Sequence, residues 1–251
     1  MTKKRTPREY RQEDILPNEL EVKSPNFKIK QLKFKSQKQK DFFDLCRDDD
    51  VKLVICDGPA GTGKSLLALY AALKLIKSGK FERIMYVRSP VDSSDGGIGY
   101  LPGGVHDKII NYMIPLDEKL NKLMDYDDIK ELYDEDYIEY TVNSFMRGRS
   151  IEKTILIIDE FQNQTMMEAV TCLSRIEETS KIIAIGDHMQ SDIGLKSCLT
   201  KVMSMFKDRP EASDNGVATF EFDNADIVRS RLVKYIVGEF QRAMKMSRGG
   251  N

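Results

Sequence analysis

Short, wholly apolar runs alternate along this chain with longer stretches whose apolar residues recur at helical spacing. VKLVICDG (51–58), FERIMYVRSP (81–90), TILIIDE (154–160) and KIIAIGD (181–187) each have an apolar centre bounded by polar residues, which predicts strands buried on both faces. DYIEYTVN (136–143) reads as a further strand. KSLLALYAALKLIKSG (64–79) is apolar almost all round until Gly79 and predicts a buried helix. QKQKDFFDLC (37–46) predicts a short amphipathic helix with Phe42, Phe43 and Leu45 on its apolar side. Residues 105–135 read as helical with an acidic face, and QTMMEAVTCLSRIEE (164–178) as a helix with Met166, Val170 and Leu173 on one side. NADIVRSRLVKYIVGEFQRAM (224–244) carries Val228, Leu232, Ile236 and Phe240 at helical spacing. Val91–Gly104 is rich in Gly, Ser and Asp and predicts a loop. Residues 1–30 hold Pro7, Pro17 and Pro25 without a sustained period, and read as an arm with little structure of its own. The alternation predicts an α/β fold on a mostly parallel central sheet with helices on both faces.

Composition narrows the class. A hydrophobic content of 41% in 251 residues supports one large domain and argues against global disorder. The expected organisation is an arm over 1–30, one domain over 31–246 and a tail over 247–251. Cys46, Cys56, Cys172 and Cys198 form no C-x-x-C, which argues against a zinc ribbon or disulfide framework and for a reducing compartment. The start has no apolar leader and no run of 18 apolar residues follows, so the expectation is a cytoplasmic chain without membrane contact. The net charge of −1 hides an asymmetry: residues 1–40 hold 12 Lys/Arg against 5 Asp/Glu, and the remainder 27 against 35. A basic arm on an acidic body suits nucleic-acid phosphates, but a solvated tail has the same composition.

Three stretches carry chemistry. GPAGTGKS (58–65) matches G-x-x-x-x-G-K-[ST], after a strand and opening a helix as that motif requires. Gly58, Pro59, Ala60, Gly61, Thr62, Gly63, Lys64, Ser65 and Leu66 form the candidate ATP-binding loop. Its backbone N–H groups and the helix N-terminus face the phosphates. Lys64 supplies a charge at the β/γ-phosphates, and the Ser65 hydroxyl can ligate Mg²⁺. ILIIDEFQN (155–163) ends a buried strand in two adjacent carboxylates, which repel each other without a partner. A phosphate-binding loop supplies the reason: Asp159 holds Mg²⁺, and Glu160 orients and deprotonates the attacking water. Asp followed by Glu points to a hydrolase more than to a small-molecule kinase. GDHMQ (186–190) follows a third buried strand, and Gln190 is the candidate sensor of the γ-phosphate. His106 and His188 lack metal-ligand spacing and are expected to be neither ligand nor base.

These elements resemble the PhoH family of P-loop ATPases, whose core is like one domain of a superfamily 1 helicase. The similarity extends to RSP (88–90), IGYLPG (98–103) with Lys108 and Pro115, MRGRS (146–150), DEFQN (159–163), LSRIEETSKIIAIGD (173–187) and DIVRSRLV (226–233), from about residue 36 to about residue 240. Phe161 departs from the family's small residue, and HMQSD from its Pro-containing turn. The resemblance implies a RecA-like P-loop NTPase using ATP and Mg²⁺. It further implies activity stimulated by single-stranded RNA or DNA, unwinding included, in a homo-oligomeric ring such as a hexamer. An ATP-dependent regulatory switch or binding module that unwinds nothing is the rival reading. Gln39, or else Gln37, is the amide expected to read adenine; Phe42 and Phe43 favour Gln39. Arg229 and Arg175 are the candidate arginine fingers, with surface ion pairs the alternative. Arg88, Arg147 and Arg149 either contact nucleic acid or a neighbouring subunit, or are scaffold. Tyr100 stacks a base or simply packs.

Overall fold

The computed structural model describes residues 25–88, 105–142, 146 and 151–248. Arg147, Arg149, Tyr100, the 91–104 loop and most of the arm lie outside the described residues. Among the described residues six strands, β1 (Leu53–Asp57), β2 (Arg83–Arg88), β3 (Ile138–Thr141), β4 (Thr154–Asp159), β5 (Lys181–Gly186) and β6 (Val217–Glu221), form one sheet in the order β3-β2-β4-β5-β1-β6. Every pairing is parallel. One row runs Thr141, Val87, Ile158, Ala184, Ile55, Thr219 across the sheet, so the strands' carboxyl ends come together at one edge. The order is RecA-like: β5 separates the strand entering the glycine-rich loop from the strand ending in the acid pair.

An all-parallel sheet needs both faces covered, and alternate residues of β4 serve the two layers. Ile155 and Ile157 join a core with α1 (Gln37–Arg47), α2 (Lys64–Lys77), α3 (Val105–Leu123) and α4 (Tyr126–Asp134). Leu156 and Ile158 join a second core with α5 (Met166–Leu173) and α6 (Leu199–Phe206). A short α7 (Pro210–Asp214) precedes β6, and α8 (Arg231–Arg248) closes the described chain. No helix among the described residues is long and apolar enough to cross a membrane.

Four features differ from the sequence pattern, each for a physical reason. β6 and α6–α7 were not anticipated; VATFE is an edge strand of intermediate burial and carries no period. α5 stops at Leu173 because the chain turns into a parallel bridge between Ile176 and Ile151, and its buried face is Ala169 and Cys172 while Val170 is exposed. α8 begins at Arg231, so Val228 and Arg229 precede it. Val228 N donates to Gly61 O at 2.9 Å, which draws the chain along the glycine-rich loop before the helix opens. Residues 25–30 are docked: Phe27 is fully buried, and Lys30 N donates to Leu123 O at 2.7 Å. The apolar side of α8, with Leu232, Tyr235, Ile236 and Phe240, is exposed.

Candidate nucleotide site

The glycine-rich loop begins where β1 ends. Gly61 (φ 91°) and Gly63 (φ 95°) occupy the left-handed region that favours glycine. Gly58 is needed for another reason: a Cβ there would lie 2.6 Å from Phe222 Cβ. Gly63 caps α2 without a side-chain hydrogen bond, so the first N–H groups of that helix have no side-chain partner at the cap. Lys64 is folded onto its own loop, donating from Nζ to Gly58 O (2.6 Å) and Pro59 O (3.0 Å). Gln39 lies behind the loop, buried, with Oε1 accepting from Lys35 N (2.8 Å) and Nε2 donating to Thr62 O (2.8 Å). Gln37 is exposed and donates to Asp41 Oδ1.

The acid pair is reconciled by partners and by backbone. Asp159, 5% exposed, accepts from Ser65 Oγ at 2.9 Å and from the Tyr86 hydroxyl, and Lys119 Nζ lies 3.7 Å from its Oδ2. Glu160 takes left-handed backbone angles (φ 57°, ψ 42°), a conformation a non-glycine residue adopts only where its surroundings hold it. Its carboxylate pairs with Arg88 Nη2 (3.2 Å) and accepts from Gln162 Nε2 (2.7 Å). Each acid therefore has its own cation. Burial, reinforced by Asp159, pushes the Tyr86 hydroxyl up, so it remains a donor. Burial pulls Lys119 down, with Asp159 opposing. The Ser65 hydroxyl and an Asp159 oxygen, 2.9 Å apart at a helix N-terminus, are an oxygen-only donor set that fits a hard cation such as Mg²⁺.

Gln162 links this pair to the third element. Its Oε1 accepts from Asp187 N at 3.0 Å, and a Cβ on Gly186 would lie 2.7 Å from that oxygen. Asp187 in turn accepts from Ala60 N (2.9 Å) and Met189 N (3.0 Å), so the Gly-Asp turn is bonded to the glycine-rich loop. His188 Nδ1 is 2.6 Å from Asp57 Oδ2, and Asp57, Asp187 and His188 bring ligand-type atoms within 4.8 Å of one another. Chain spacing does not reveal that grouping.

A cleft of about 410 Å³ joins the three elements. Its walls include Ala60, Gly61, Gly63, Lys64, Ser65, Leu66, Asp159, Glu160, Asp187 and exposed Gln190, with Lys119, Lys122, Val228 and Arg229. Arg229 lines it in cis: a Cβ on Gly61 would meet its Cγ at 2.7 Å. Arg175 is elsewhere, its carbonyl accepting from Ile151 N near the amino-terminal end of β4. Arg88 is committed to Glu160. A neighbouring hollow of about 490 Å³ shares Glu160 and Gln190 with the cleft and adds Arg88, Asn163 and Asp192. The sequence reading missed Tyr86, Lys119, Gln162 and Asp187. Gln162 and Asp187 lie inside the acid-pair and Gly-Asp stretches, and Tyr86 is the one hydroxyl within β2; nothing in the sequence marks Lys119.

A family model described as PhoH-like protein matches residues 31–241. A PhoH-like protein of Bacillus subtilis is 32% identical over 219 residues, covering 86% of this chain and 66% of that one. A PhoH-like protein of Synechocystis is 31% identical, covering 85% and 63%. Protein PhoH2 of Bacillus subtilis is 36% identical over 178 residues, covering 66% and 40%. The chain thus spans about two thirds or less of these relatives' lengths. A crystal structure of the flagellar accessory protein FlaH from Methanocaldococcus jannaschii aligns with a TM-score of 0.32 at 15% identity, over 61% of this chain and 67% of that one.

Proposed function

The chain belongs to the PhoH-like protein family, and on that premise we propose that it is an Mg²⁺-dependent ATPase that couples hydrolysis to single-stranded RNA or DNA in a homo-oligomeric ring. The observation that carries the ATPase reading is the meeting of Ser65 and Asp159 at 2.9 Å with Glu160 beside them, in one cleft with Lys64. Lys64 leaves the Gly58 and Pro59 carbonyls for the β/γ-phosphates. Ser65 and Asp159 hold the metal, whose contribution is to neutralise charge on the phosphate oxygens. Glu160 takes a proton from water as the water oxygen bonds to the γ-phosphorus and the bond to the ADP oxygen breaks. Gln190 senses the γ-phosphate from the mouth of the cleft. Arg229, which lines the cleft, touches phosphate in cis on this reading, whereas Arg175, outside the cleft, acts on a neighbouring subunit's site. Gln39 supports the glycine-rich loop from behind, since both ends of its amide are bonded to backbone.

ATP turnover measured against protein concentration, with and without single-stranded oligonucleotide, tests the reading. Steep, oligonucleotide-stimulated turnover that vanishes in Glu160→Gln is expected. Turnover indifferent to nucleic acid leaves an ATP-dependent switch, and turnover surviving Glu160→Gln removes the assignment of the base. Deletion of residues 1–24 isolates the arm without disturbing Phe27. It should weaken oligonucleotide affinity and flatten its salt dependence.

A further inference from the structure

Lys119 reaches the cleft from α3, an element that supplies no residue of the three motifs. Its side chain is 19% exposed, lies 3.7 Å from Asp159 Oδ2 and donates to Pro115 O at 2.8 Å; its ammonium is 6.0 Å from the Tyr86 ring centroid. Withdrawing an ammonium from water is costly unless it is paired. Asp159 already accepts from two hydroxyls, so its buried oxygens have donors without Lys119. The ammonium is also not sealed in a closed pair, because Lys119 lines the same cleft as Gly61, Gly63 and Lys64.

We propose that Lys119 is a nucleotide-contact residue that binds the terminal phosphate in cis, and that Asp159 is where its ammonium rests in the nucleotide-free protein. This rests on the ATPase reading and adds to it a phosphate-binding cation that no motif carries. Lys64 shows the same pattern, a cleft ammonium held by oxygens of the protein, here the Gly58 and Pro59 carbonyls. When Asp159 is engaged with the metal–nucleotide, Lys119 loses its resting partner. Its flexible four-carbon stem then lets the charge turn toward phosphate oxygens in the same cleft. ADP lacks the terminal phosphate, so the contact discriminates between substrate and product.

Equilibrium binding of Mg²⁺ with ADP, and of Mg²⁺ with the non-hydrolysable β,γ-imido analogue of ATP, tests this on Lys119→Met and Lys119→Arg, with thermal unfolding as the check on folding. Lys119→Met should lose about 10- to 100-fold in affinity for the triphosphate, the scale of one charge-assisted contact, and less than about threefold for ADP. Lys119→Arg should retain most of the triphosphate affinity. Equal losses for both nucleotides, or no loss for either, would make the pair purely structural and overturn the proposal. In the nucleotide-free protein, Lys119→Met should tighten Mn²⁺ binding read by electron paramagnetic resonance, because the ammonium no longer competes for Asp159; unchanged Mn²⁺ binding overturns the resting position. Lys64→Ala runs alongside. Triphosphate binding that depends on Lys64 but not on Lys119 sinks this inference alone, and a wild type that binds neither nucleotide sinks the ATPase reading with it.

Discussion

At each end of the central strands a lysine is drawn out of water, Lys181 fully and Lys119 in part, and the two are held in opposite ways. At the amino-terminal end, Lys181 opens β5 with 1% of its surface exposed, its ammonium donating to Asp48 O at 2.5 Å beside the buried Cys46. At the carboxyl end, Lys119 stands beside Asp159 with the cleft in front of it. Lys181 is closed in by backbone and core. Lys119 faces a space that a ligand can fill. The same contrast holds for the surroundings: the far end contains Phe27 and the carbonyl cap from Lys77 Nζ to Phe27 O (2.6 Å), whereas the near end contains Glu160 in a strained backbone conformation. Substitutions at the near end should therefore change chemistry with little effect on folding, and those at the far end the reverse.

The largest expected effect is at Glu160. Glu160→Gln keeps the shape and the Gln162 and Arg88 neighbours but removes the carboxylate proposed as the base, so turnover should fall by about 10²- to 10⁴-fold. Nucleotide affinity and the unfolding midpoint should hardly move in the same preparation. A midpoint that collapses along with turnover breaks the contrast between the ends. The matching substitution at the far end is Phe27→Ala, which empties a fully buried site against Lys77 and Tyr137. It should cost about 3–5 kcal/mol of stability in a denaturant titration and leave ATP affinity unchanged at temperatures where the protein is folded. A small loss would place residues 25–30 outside the cooperative unit.

The near end was far more legible than the far end, and the reason is local. The glycine-rich loop and the acid pair are continuous stretches whose chemistry is written in adjacent residues, and β4 announces itself as an apolar run ending in acids. Residues that converge from separate elements leave no such trace. Lys119 comes from α3 and Tyr86 from β2, and only the insertion of β5 between β1 and β4 sets the spacing that brings Ser65 against Asp159. Gln39, the amide expected to read adenine, also shares the spacing of Phe42, Phe43 and Cys46, a core position, and its buried amide is bonded at both ends to nearby backbone. Arg175 and Arg229 were equivalent candidates in the sequence because helical spacing does not say which end of the sheet a residue reaches. Val228 bonds to Gly61 and brings Arg229 to the wall of the cleft, while Arg175 stands near the amino-terminal end of β4.

The smallest effect sharpens the contrast through pH. Burial pulls Lys181 down from 10.5 to about 8 in the folded protein, so between those values the unfolded chain binds more protons than the folded one. Stability from this group is accordingly flat below about pH 8 and rises as pH increases toward 10.5, with a slope of at most ~1.4 kcal/mol per pH unit. The buried thiols act in the other direction: burial raises Cys46, Cys56, Cys172 and Cys198 above their ordinary value of 9.0, which makes stability fall as pH climbs past that point. The difference between wild type and Lys181→Met, measured by denaturant unfolding from pH 7 to 10, removes what the two proteins share. That difference should favour Lys181→Met most below pH 8 and shrink as pH rises, because only the wild type gains from losing the proton. ATP affinity at pH 7 should be the same in both. A difference independent of pH would mean that Lys181 keeps its proton throughout, held by the Asp48 carbonyl and the nearby Asp48 and Asp49 carboxylates more firmly than burial opposes it.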